Sequence, residues 1–285
     1  HREVVVSRIA FFGTPELAAV QLRALLDTKH DVVLVVAQPD RPKGRGQKLE
    51  PPPTKQVALE RKIVVAQPET LKKDTASGEA FFAQLEEAHV DIAVVAAYGR
   101  IIPSRILALP KRRMVNVHAS LLPRWRGAAP IQRAIEAGDK KTGVCLMDMV
   151  AELDAGDVFT RVECAIDDDD DGETLTAKVA SLGARCLREN IDALLDGELA
   201  RTPQPQRNRA ATARQRNGAR AGAAGRLHHE GVLAARALDL DALRRDAPLV
   251  DVVVGLALRA GDLHPFFPRK GAVFGGITLE RRRAK

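Results

Sequence analysis

Two polar side chains, Asn116 and His118, interrupt an otherwise apolar segment and could act together on a carbonyl group. Successive side chains on a strand point to opposite faces, so a strand through Val115 and Val117 would place both polar groups on one face. An amide can donate a hydrogen bond to a developing oxyanion, and an imidazole can donate or accept a proton near neutral pH. The same two side chains could instead only cap the end of the strand, and the residues alone leave that alternative open.

A third candidate for this chemistry is Asp154, which lies in the segment Leu153-Asp154-Ala155-Gly156-Asp157. A carboxylate close to His118 could stabilise the charged imidazole and help to carry a proton. Together the three groups would serve attack on a carbonyl carbon, and we expect no metal to be required.

Alternating strand and helix patterns predict the elements that position these groups. Apolar runs predict buried strands, and amphipathic segments between them predict helices; the strands are expected at Arg8–Phe12, Asp31–Ala37, Asp91–Ala96 and from Met114 onwards. This alternation predicts an α/β fold with a doubly wound, mostly parallel sheet. Such a sheet gathers its strand ends at one rim, so Gly13, Tyr98 and His118 should lie on that rim. Thr14 is expected to cap the helix that follows the first strand.

A basic segment, Gln38–Pro53, follows the second strand and carries several prolines and glycines that break regular structure. We predict a long loop at the edge of the sheet, where positive charge can contact phosphates. The formal net charge of +7 and the pI near 9.5 also favour an anionic partner such as nucleic acid. The alternative is an ordinary solvated surface loop.

Four motifs, in order along the chain, resemble those of the 10-formyltetrahydrofolate-dependent formyltransferases. The segment Asn116–Pro123, followed by Arg126–Gln132, resembles the family's first signature, and Leu153–Asp157 resembles the second. Phe12–Pro15 and Ala97–Pro103 resemble two further family segments. The resemblance implies a Rossmann-like domain that uses 10-formyltetrahydrofolate as formyl donor, with Asn116, His118 and Asp154 catalytic. It also implies folate contacts, which we expect at Ser120, Leu121, Leu122, Pro123 and Tyr98, although Tyr98 could simply pack in the core.

The basic segment and the resemblance together indicate which acceptor receives the formyl group. In members of the family that act on tRNA, the matching loop reaches into the acceptor arm, so we expect tRNA contacts from Arg45, with Lys43 and Lys48 beside it. The expected acceptor is the α-amino group of methionine on initiator tRNA, as needed for translation initiation. Alternatives are a nucleotide-sugar amine or glycinamide ribonucleotide as acceptor, hydrolysis of the donor, or a non-catalytic RNA-binding relative.

The resemblance divides the chain into a catalytic domain at 1–196, a linker at 197–210 and a C-terminal region at 211–285. It implies a small tRNA-binding β-barrel at the end, but the family's Tyr-Ala-x-Lys opening and Pro-Trp-Pro turn are absent. The Arg-, Ala- and Gly-rich region could be a diverged barrel, a basic tail, or a sequence whose reading frame leaves the family after about Gln206.

Composition predicts a cytoplasmic protein, which we expect to be a monomer. No apolar run approaches the ~20 residues of a membrane helix, and the N-terminus has no signal-peptide pattern. Cysteines 145, 164 and 186 stand far apart, which indicates neither a metal site nor a disulfide framework.

Overall fold

The computed structural model describes residues 5–43 and 48–205. The predictions for Arg45 and for the region 211–285 therefore fall outside the described residues, as do the side chains of Lys43 and Lys48. In the described part of the chain, no helix is long and apolar enough to cross a membrane.

Nine strands and six helices alternate over the described residues. The strands are β1 Arg8–Gly13, β2 Asp31–Val36, β3 Arg41–Lys43, β4 Lys48–Glu50, β5 Val64–Ala66, β6 Ile92–Ala96, β7 Arg113–His118, β8 Lys141–Asp148 and β9 Val158–Ala165. The helices are α1 Glu16–Leu26, α2 Pro53–Glu60, α3 Ala76–Glu87, α4 Ser104–Leu107, α5 Pro130–Glu136 and α6 Gly172–Asp196.

Seven of the strands form one sheet in the order β5-β2-β1-β6-β7-β8-β9. The first five of these strands are parallel, whereas β8 is antiparallel to β7 and β9 is antiparallel to β8. The predicted mostly parallel, doubly wound α/β sheet is confirmed. The antiparallel pairing of β9 with β8 follows because a turn joins them rather than a crossover helix, which parallel pairing would need. Strands β7 and β8 are antiparallel although α5 lies between them in the chain.

Both faces of the parallel strands are covered, which explains why these strands are apolar at nearly every position. On one face Phe11 of β1 packs in a cluster that includes residues of α1 and α6. On the other face Phe12 packs in a second cluster with Phe81 of α3 and Ile106 of α4. Neighbouring residues of one strand therefore serve two separate apolar layers.

Helix α6 spans the sheet and is defined at both ends by its own sequence. The Asp171 side chain accepts hydrogen bonds from the amides of Glu173 and Thr174 in a capping box, and the helix ends at Gly197 with φ 74°. The chain then turns back towards the sheet, and Thr202 forms an isolated antiparallel bridge with Val158. We refer to residues 198–205 as the return segment.

The expected helix cap at Thr14 is wrong. The N-cap of α1 is Pro15, with no side-chain cap, whereas the Thr14 hydroxyl donates to the Tyr98 carbonyl and accepts from the Gln38 amide, both at 3.3 Å. Thr14 lies among the ends of β1, β2 and β6, where backbone groups that the strands leave unpaired form hydrogen bonds with its hydroxyl.

The basic segment is not simply a loop, because β3 and β4 pair as an antiparallel hairpin with Arg41 opposite Glu50. Pro42 is tolerated since this two-stranded ribbon has a free edge. The ammonium group of Lys55 lies 2.8 Å from a carboxylate oxygen of Asp40 at the base of the hairpin. Hydrogen bonds from Gln67 and Lys55 lower the pKa of Asp40. The base of the hairpin is thus fixed to the sheet.

Candidate active site

Strand β7 presents its two polar side chains on one face, as the sequence predicts. Val115 and Val117 belong to the apolar cluster on the α1 and α6 side, so Asn116 and His118 point to the opposite face. His118 is buried, with 6% of its surface exposed, and its cross-strand neighbour on β8 is Cys145. Burial raises the pKa of the Cys145 thiol to about 11, which keeps this neighbour uncharged.

The third group, Asp154, reaches this face from an unexpected direction. Because β8 is antiparallel to β7, its last residue, Asp148, lies opposite Val115 rather than opposite His118. The amide of Met149 then bonds to the carbonyl of Met114 at 2.9 Å, near the start of β7. Residues 149–157, which we call the acidic turn, therefore have to fold back across the face that carries Asn116 and His118.

Asp154 contacts both polar side chains of β7 with one carboxylate. Its Oδ1 atom accepts a 3.4 Å hydrogen bond from Nδ2 of Asn116, and its Oδ2 atom lies 3.7 Å from Nδ1 of His118. The backbone amide of Gly127 donates to Oδ2 at 2.7 Å. Residues far apart in the sequence thus meet at a carboxylate whose side chain is only 12% exposed.

The two ring nitrogens of His118 have different surroundings. Nε2 lies 3.1 Å from the carbonyl oxygen of Trp125, a group that can only accept, so Nε2 carries a proton in this arrangement. Nδ1 faces Asp154 at a separation longer than a hydrogen bond. A second proton on the ring would therefore sit at Nδ1, beside the carboxylate.

The loop after β7 is held by its own polar contacts. The Ser120 hydroxyl donates to the carbonyl of Arg124 at 2.7 Å, and the Trp125 indole donates to Asp139 at 2.8 Å. Burial opposes ionisation of Asp139, but hydrogen bonds from Arg124 and Trp125 outweigh it and lower the pKa of this carboxyl. Trp125 and Ala129 both adopt left-handed backbone conformations, with φ 59° and 53°. The loop is thus bent sharply on either side of Gly127.

The residues expected to contact folate are placed in differing surroundings. Ser120 and Leu122 are buried, and the Leu122–Pro123 peptide bond is cis. Leu121 packs over Gly143 of β8 and lines a cavity of about 250 Å³ together with the side chain of Trp125. This cavity is not lined by Asn116, His118 or Asp154, and the contacts of Ser120–Pro123 with folate stay a prediction.

Tyr98 is brought to the rim only by its backbone. Its carbonyl accepts hydrogen bonds from Thr14 and Gln38, whereas its ring is 2% exposed and packs edge-on against Phe12, with ring centroids 5.5 Å apart. Burial raises the pKa of its hydroxyl to about 12. This arrangement favours the packing alternative for the ring over a contact with folate.

Two residues that the sequence did not indicate as contacts of the site, Gln204 and Arg126, connect the acidic turn with the loop after β7. Gln204, in the return segment, donates to the carbonyls of Asp154 and Gly156 at 3.0 and 2.6 Å. The buried guanidinium of Arg126 donates to the Gln204 side chain at 2.9 Å and to the Pro205 carbonyl at 3.1 Å. Gln204 lies between two prolines in a segment interpreted as linker, so the sequence carries no signal for this contact.

The described part of the chain contains no cluster of side chains that could bind a metal ion. Residues 5–43 and 48–205 contain no group of three or more His, Cys, Asp or Glu side chains placed to hold a metal ion. The cluster of amide, imidazole and carboxylate is suited to hydrogen bonding and proton transfer instead.

Comparison with known proteins identifies the family. The family described as "Formyl transferase" matches residues 7–191, and the chain belongs to it. It is 50% identical over 205 residues to "Methionyl-tRNA formyltransferase" of Stutzerimonas stutzeri (strain A1501), covering 72% of this chain and 63% of that protein. It is 51% identical over 201 residues to the protein of that name from Delftia acidovorans (strain DSM 14801 / SPH-1), covering 70% and 62%. The chain thus matches less than two thirds of the length of these relatives.

Solved structures agree on the fold. A glycinamide ribonucleotide transformylase 1 from Symbiobacterium toebii superposes with a TM-score of 0.59 at 20% identity, covering 71% of this chain and 96% of that one. A formyltetrahydrofolate deformylase from Pseudomonas syringae pv. tomato str. DC3000 gives a TM-score of 0.56 at 20% identity, covering 68% and 63%. At such identities the likeness concerns the architecture alone.

Proposed function

We propose that the protein transfers a formyl group from 10-formyltetrahydrofolate to the α-amino group of methionine on initiator tRNA, for translation initiation. The observation that carries the proposal is the convergence of Asn116, His118 and Asp154 in a chain about half identical to proteins named methionyl-tRNA formyltransferase. This reaction needs stabilisation of an oxyanion and movement of protons, which are the capacities of the three side chains.

Asn116 and His118 would act on the oxygen of the formyl group. The unprotonated amine attacks the formyl carbon of the donor. The tetrahedral intermediate then collapses with cleavage of the bond between that carbon and N10 of the folate, and N10 takes up a proton as it leaves. The amide of Asn116 contacts Asp154 through one long hydrogen bond of 3.4 Å, so its second N–H can donate to the oxygen that gains charge. The protonated ring of His118 adds a positive charge beside that oxygen. One donor of this kind contributes ~3–4 kcal/mol to the transition state.

Asp154 would orient His118 and accompany its protonated form. Its Oδ2 lies 3.7 Å from Nδ1, so the carboxylate faces the charge when the ring is protonated, and it can assist removal of the amine proton through a water molecule. The Gly127 amide fixes the same oxygen at 2.7 Å. The carboxylate is therefore oriented before any substrate arrives, which lowers the cost of organising the reaction.

An exposed apolar side chain lies next to the cluster. Leu153, the neighbour of Asp154, is 50% exposed. Leu153 lies over Gly127, where an added Cβ would be 3.6 Å from its Cδ2. Apolar side chains exposed beside buried polar groups are typical of ligand sites. We infer that Ser120–Pro123 and the acidic turn frame the pterin of 10-formyltetrahydrofolate, with Tyr98 contributing its backbone.

The hairpin of β3 and β4 would contact the acceptor arm of the tRNA. Its base is fixed by Asp40, Lys55 and Gln67, and it carries Lys43, Arg45 and Lys48, which are our proposed phosphate contacts. Phosphate contacts by Lys and Arg make binding salt-dependent. We further propose that the protein works in the cytoplasm as a monomer.

A transfer assay with charged initiator tRNA tests the proposal. The full chain is mixed with formyl-labelled 10-formyltetrahydrofolate and methionyl-initiator tRNA, and label on the methionine is measured. Parallel reactions contain uncharged tRNA, glycinamide ribonucleotide, a nucleotide-sugar amine or no acceptor. Label on the charged tRNA alone supports the proposal. Transfer to another amine, or formate released without any acceptor, would replace it with that activity.

A non-catalytic RNA-binding relative gives a different pattern in the same experiment. Such a protein would bind charged tRNA without transferring label, and replacing Asp154 would leave its binding unchanged. Transfer by the unaltered chain that is lost on replacing Asp154 would rule this alternative out.

A further inference from the structure

We infer that Gln204 is a positioning residue that holds the acidic turn, and with it Asp154, in place over β7. The inference rests on the proposed function in one respect, the role given to Asp154. Gln204 lies 50 residues beyond Asp154 in sequence and outside the segment that matches the formyl transferase family, residues 7–191.

The side-chain amide of Gln204 both donates and accepts hydrogen bonds. Its nitrogen donates to two carbonyls of the acidic turn, that of Asp154 at 3.0 Å and that of Gly156 at 2.6 Å. Its oxygen accepts from Nε of Arg126 at 2.9 Å. A primary amide can give two hydrogen bonds and still accept others, and this side chain does both.

The contacts link the two loops that form the site. Arg126 belongs to the loop after β7, and its neighbour Gly127 donates to the Asp154 carboxylate at 2.7 Å. Gln204 therefore closes a ring of contacts that runs from the acidic turn through its own amide to Arg126 and back through Gly127 to Asp154. If this ring opened, the carboxylate would lose its fixed distance from His118.

The acidic turn needs such support because its own backbone is not regular. Residues 149–157 belong to neither flanking strand, and Asp154 within them adopts a left-handed conformation with φ 49°. The carbonyls of Asp154 and Gly156 lie outside the strands that flank the turn, so the sheet does not satisfy them. The Gln204 amide supplies these missing partners from the return segment.

The return segment is itself tied to the sheet. Thr202 and Val158 exchange two backbone hydrogen bonds of 2.9 Å. The Arg201 guanidinium lies 3.6 Å from the carboxylate of Asp148, the last residue of β8. The segment that carries Gln204 is thus anchored to β8 and β9.

Replacing Gln204 with Glu separates the two sides of the contact. A carboxylate at this position can still accept from Arg126, but it can no longer donate to the Asp154 and Gly156 carbonyls. Gln204→Ala removes both sides without adding charge and serves if Gln204→Glu does not fold. Gln56→Glu is the matched control, because Gln56 is exposed on α2 and its side-chain amide donates to the Pro51 carbonyl, five residues away, at 3.0 Å.

Amide hydrogen exchange of the full-length chain measures positioning directly. We expect exchange to become at least about tenfold faster at the Gly127 amide and across residues 150–157 in both Gln204 variants. Exchange in β1 and in the Gln56→Glu control should match the unaltered protein. Unchanged exchange at Gly127 and the acidic turn would overturn the inference, and so would equal acceleration over the whole chain, since that would indicate a general loss of stability.

Transfer kinetics give the second readout. Misplacement of a reacting group by about 1 Å can lower turnover about 100-fold, so kcat should fall about 10- to 100-fold while KM for the donor and the tRNA stays nearly constant. Raised KM with unchanged kcat would contradict positioning of Asp154. If the unaltered chain transfers no formyl group, the proposed function fails, while local acceleration of exchange would still support the positioning role of Gln204.

Discussion

The two parts of the central sheet are built on different principles. In the parallel part, from β5 to β7, every residue of β6 is buried, because helices cover both faces. In the antiparallel part, β8 is buried along nearly its whole length, whereas the residues of β9 mostly alternate between partly buried and exposed positions. The difference is therefore between strands covered on both faces and the edge strand β9, which we call the ribbon because one of its sides is open.

The candidate site lies where these two parts meet. Strand β7 pairs in parallel with β6 and antiparallel with β8, and it carries Asn116 and His118. The parallel part supplies rigid placement for these side chains. The antiparallel part supplies the acidic turn, which crosses the face of the sheet and places Asp154 beside them. The candidate site thus combines side chains of a strand buried in the sheet with one from a turn between two strands.

The largest expected difference between the two parts is in the free energy of unfolding. Phe12→Ala should lower it by about 3–5 kcal/mol, because the ring is fully buried and packs against Phe81 and Tyr98. Val162→Ala in β9 removes a partly buried side chain and should cost about 1 kcal/mol. Urea unfolding of both variants measures the two values. Equal losses would show that the ribbon is as much a core as the parallel part.

Asp154→Asn should have the next largest effect, and on turnover instead of stability. Asparagine accepts the left-handed backbone of this position but lacks the charge, so we expect kcat to fall about 100- to 1,000-fold, or ~3–4 kcal/mol. Glu152→Gln removes an exposed carboxylate from the same turn and is the control. Full turnover of Asp154→Asn, or an equal loss in the control, would contradict the assignment of Asp154.

Gly156→Ala should disturb the turn by steric conflict. A Cβ atom at this position would lie 2.0 Å from the carbonyl oxygen of Asp148, so the turn must shift. We expect about 1–3 kcal/mol of destabilisation together with lower kcat. Gly172→Ala is the control, because a Cβ there meets nothing within 4 Å. Thermal unfolding and the transfer assay together would show whether the turn tolerates the change.

Alkaline pH should lower the free energy of unfolding through buried thiols before it does so through Tyr98. Burial raises the pKa of Cys145 and of Cys186 from 9.0 to about 11, and that of Tyr98 from 10.0 to about 12. The neutral thiol is favoured in the folded state, so its contribution is complete below pH 9 and is lost as pH rises from 9 through 11. The free energy of unfolding should fall by up to about 1.4 kcal/mol per pH unit for this group.

Denaturant unfolding from pH 8 to 10.5 measures this loss. Cys145→Ala should flatten the decline, whereas Cys164→Ala should change it less, because Cys164 is only partly buried. A decline of the same steepness in all three proteins would show that other groups dominate the alkaline response.

The parallel part was largely predictable because its signals are local. Strands β1, β2 and β6 are almost wholly apolar, and the predicted bounds of these strands and the predicted start of β7 agree with the structure to within about one residue. The pairing of Asn116 with His118 follows from the two-residue period of a strand. The motifs of the family then added Asp154, which periodicity could not supply.

The remaining contacts depend on long-range geometry. The antiparallel pairing of β9 with β8 could have been inferred, because the short connection through Asp154 leaves no room for a crossover helix. The direction of β8 relative to β7 could not, because α5 lies between these two strands. No local pattern indicates that the Thr14 hydroxyl bonds to Tyr98 and Gln38 instead of capping a helix. The same holds for Gln204, whose neighbours suggest only a linker.

The left-handed backbone of Asp154 limits which residues this position can accept. Aspartate and asparagine are among the few side chains other than glycine that enter this conformation without a large penalty. Glutamate would bring the charge but not the conformation, while glycine and asparagine would bring the conformation but not the charge. Two independent requirements, one chemical and one conformational, are thus met together by a single amino-acid type.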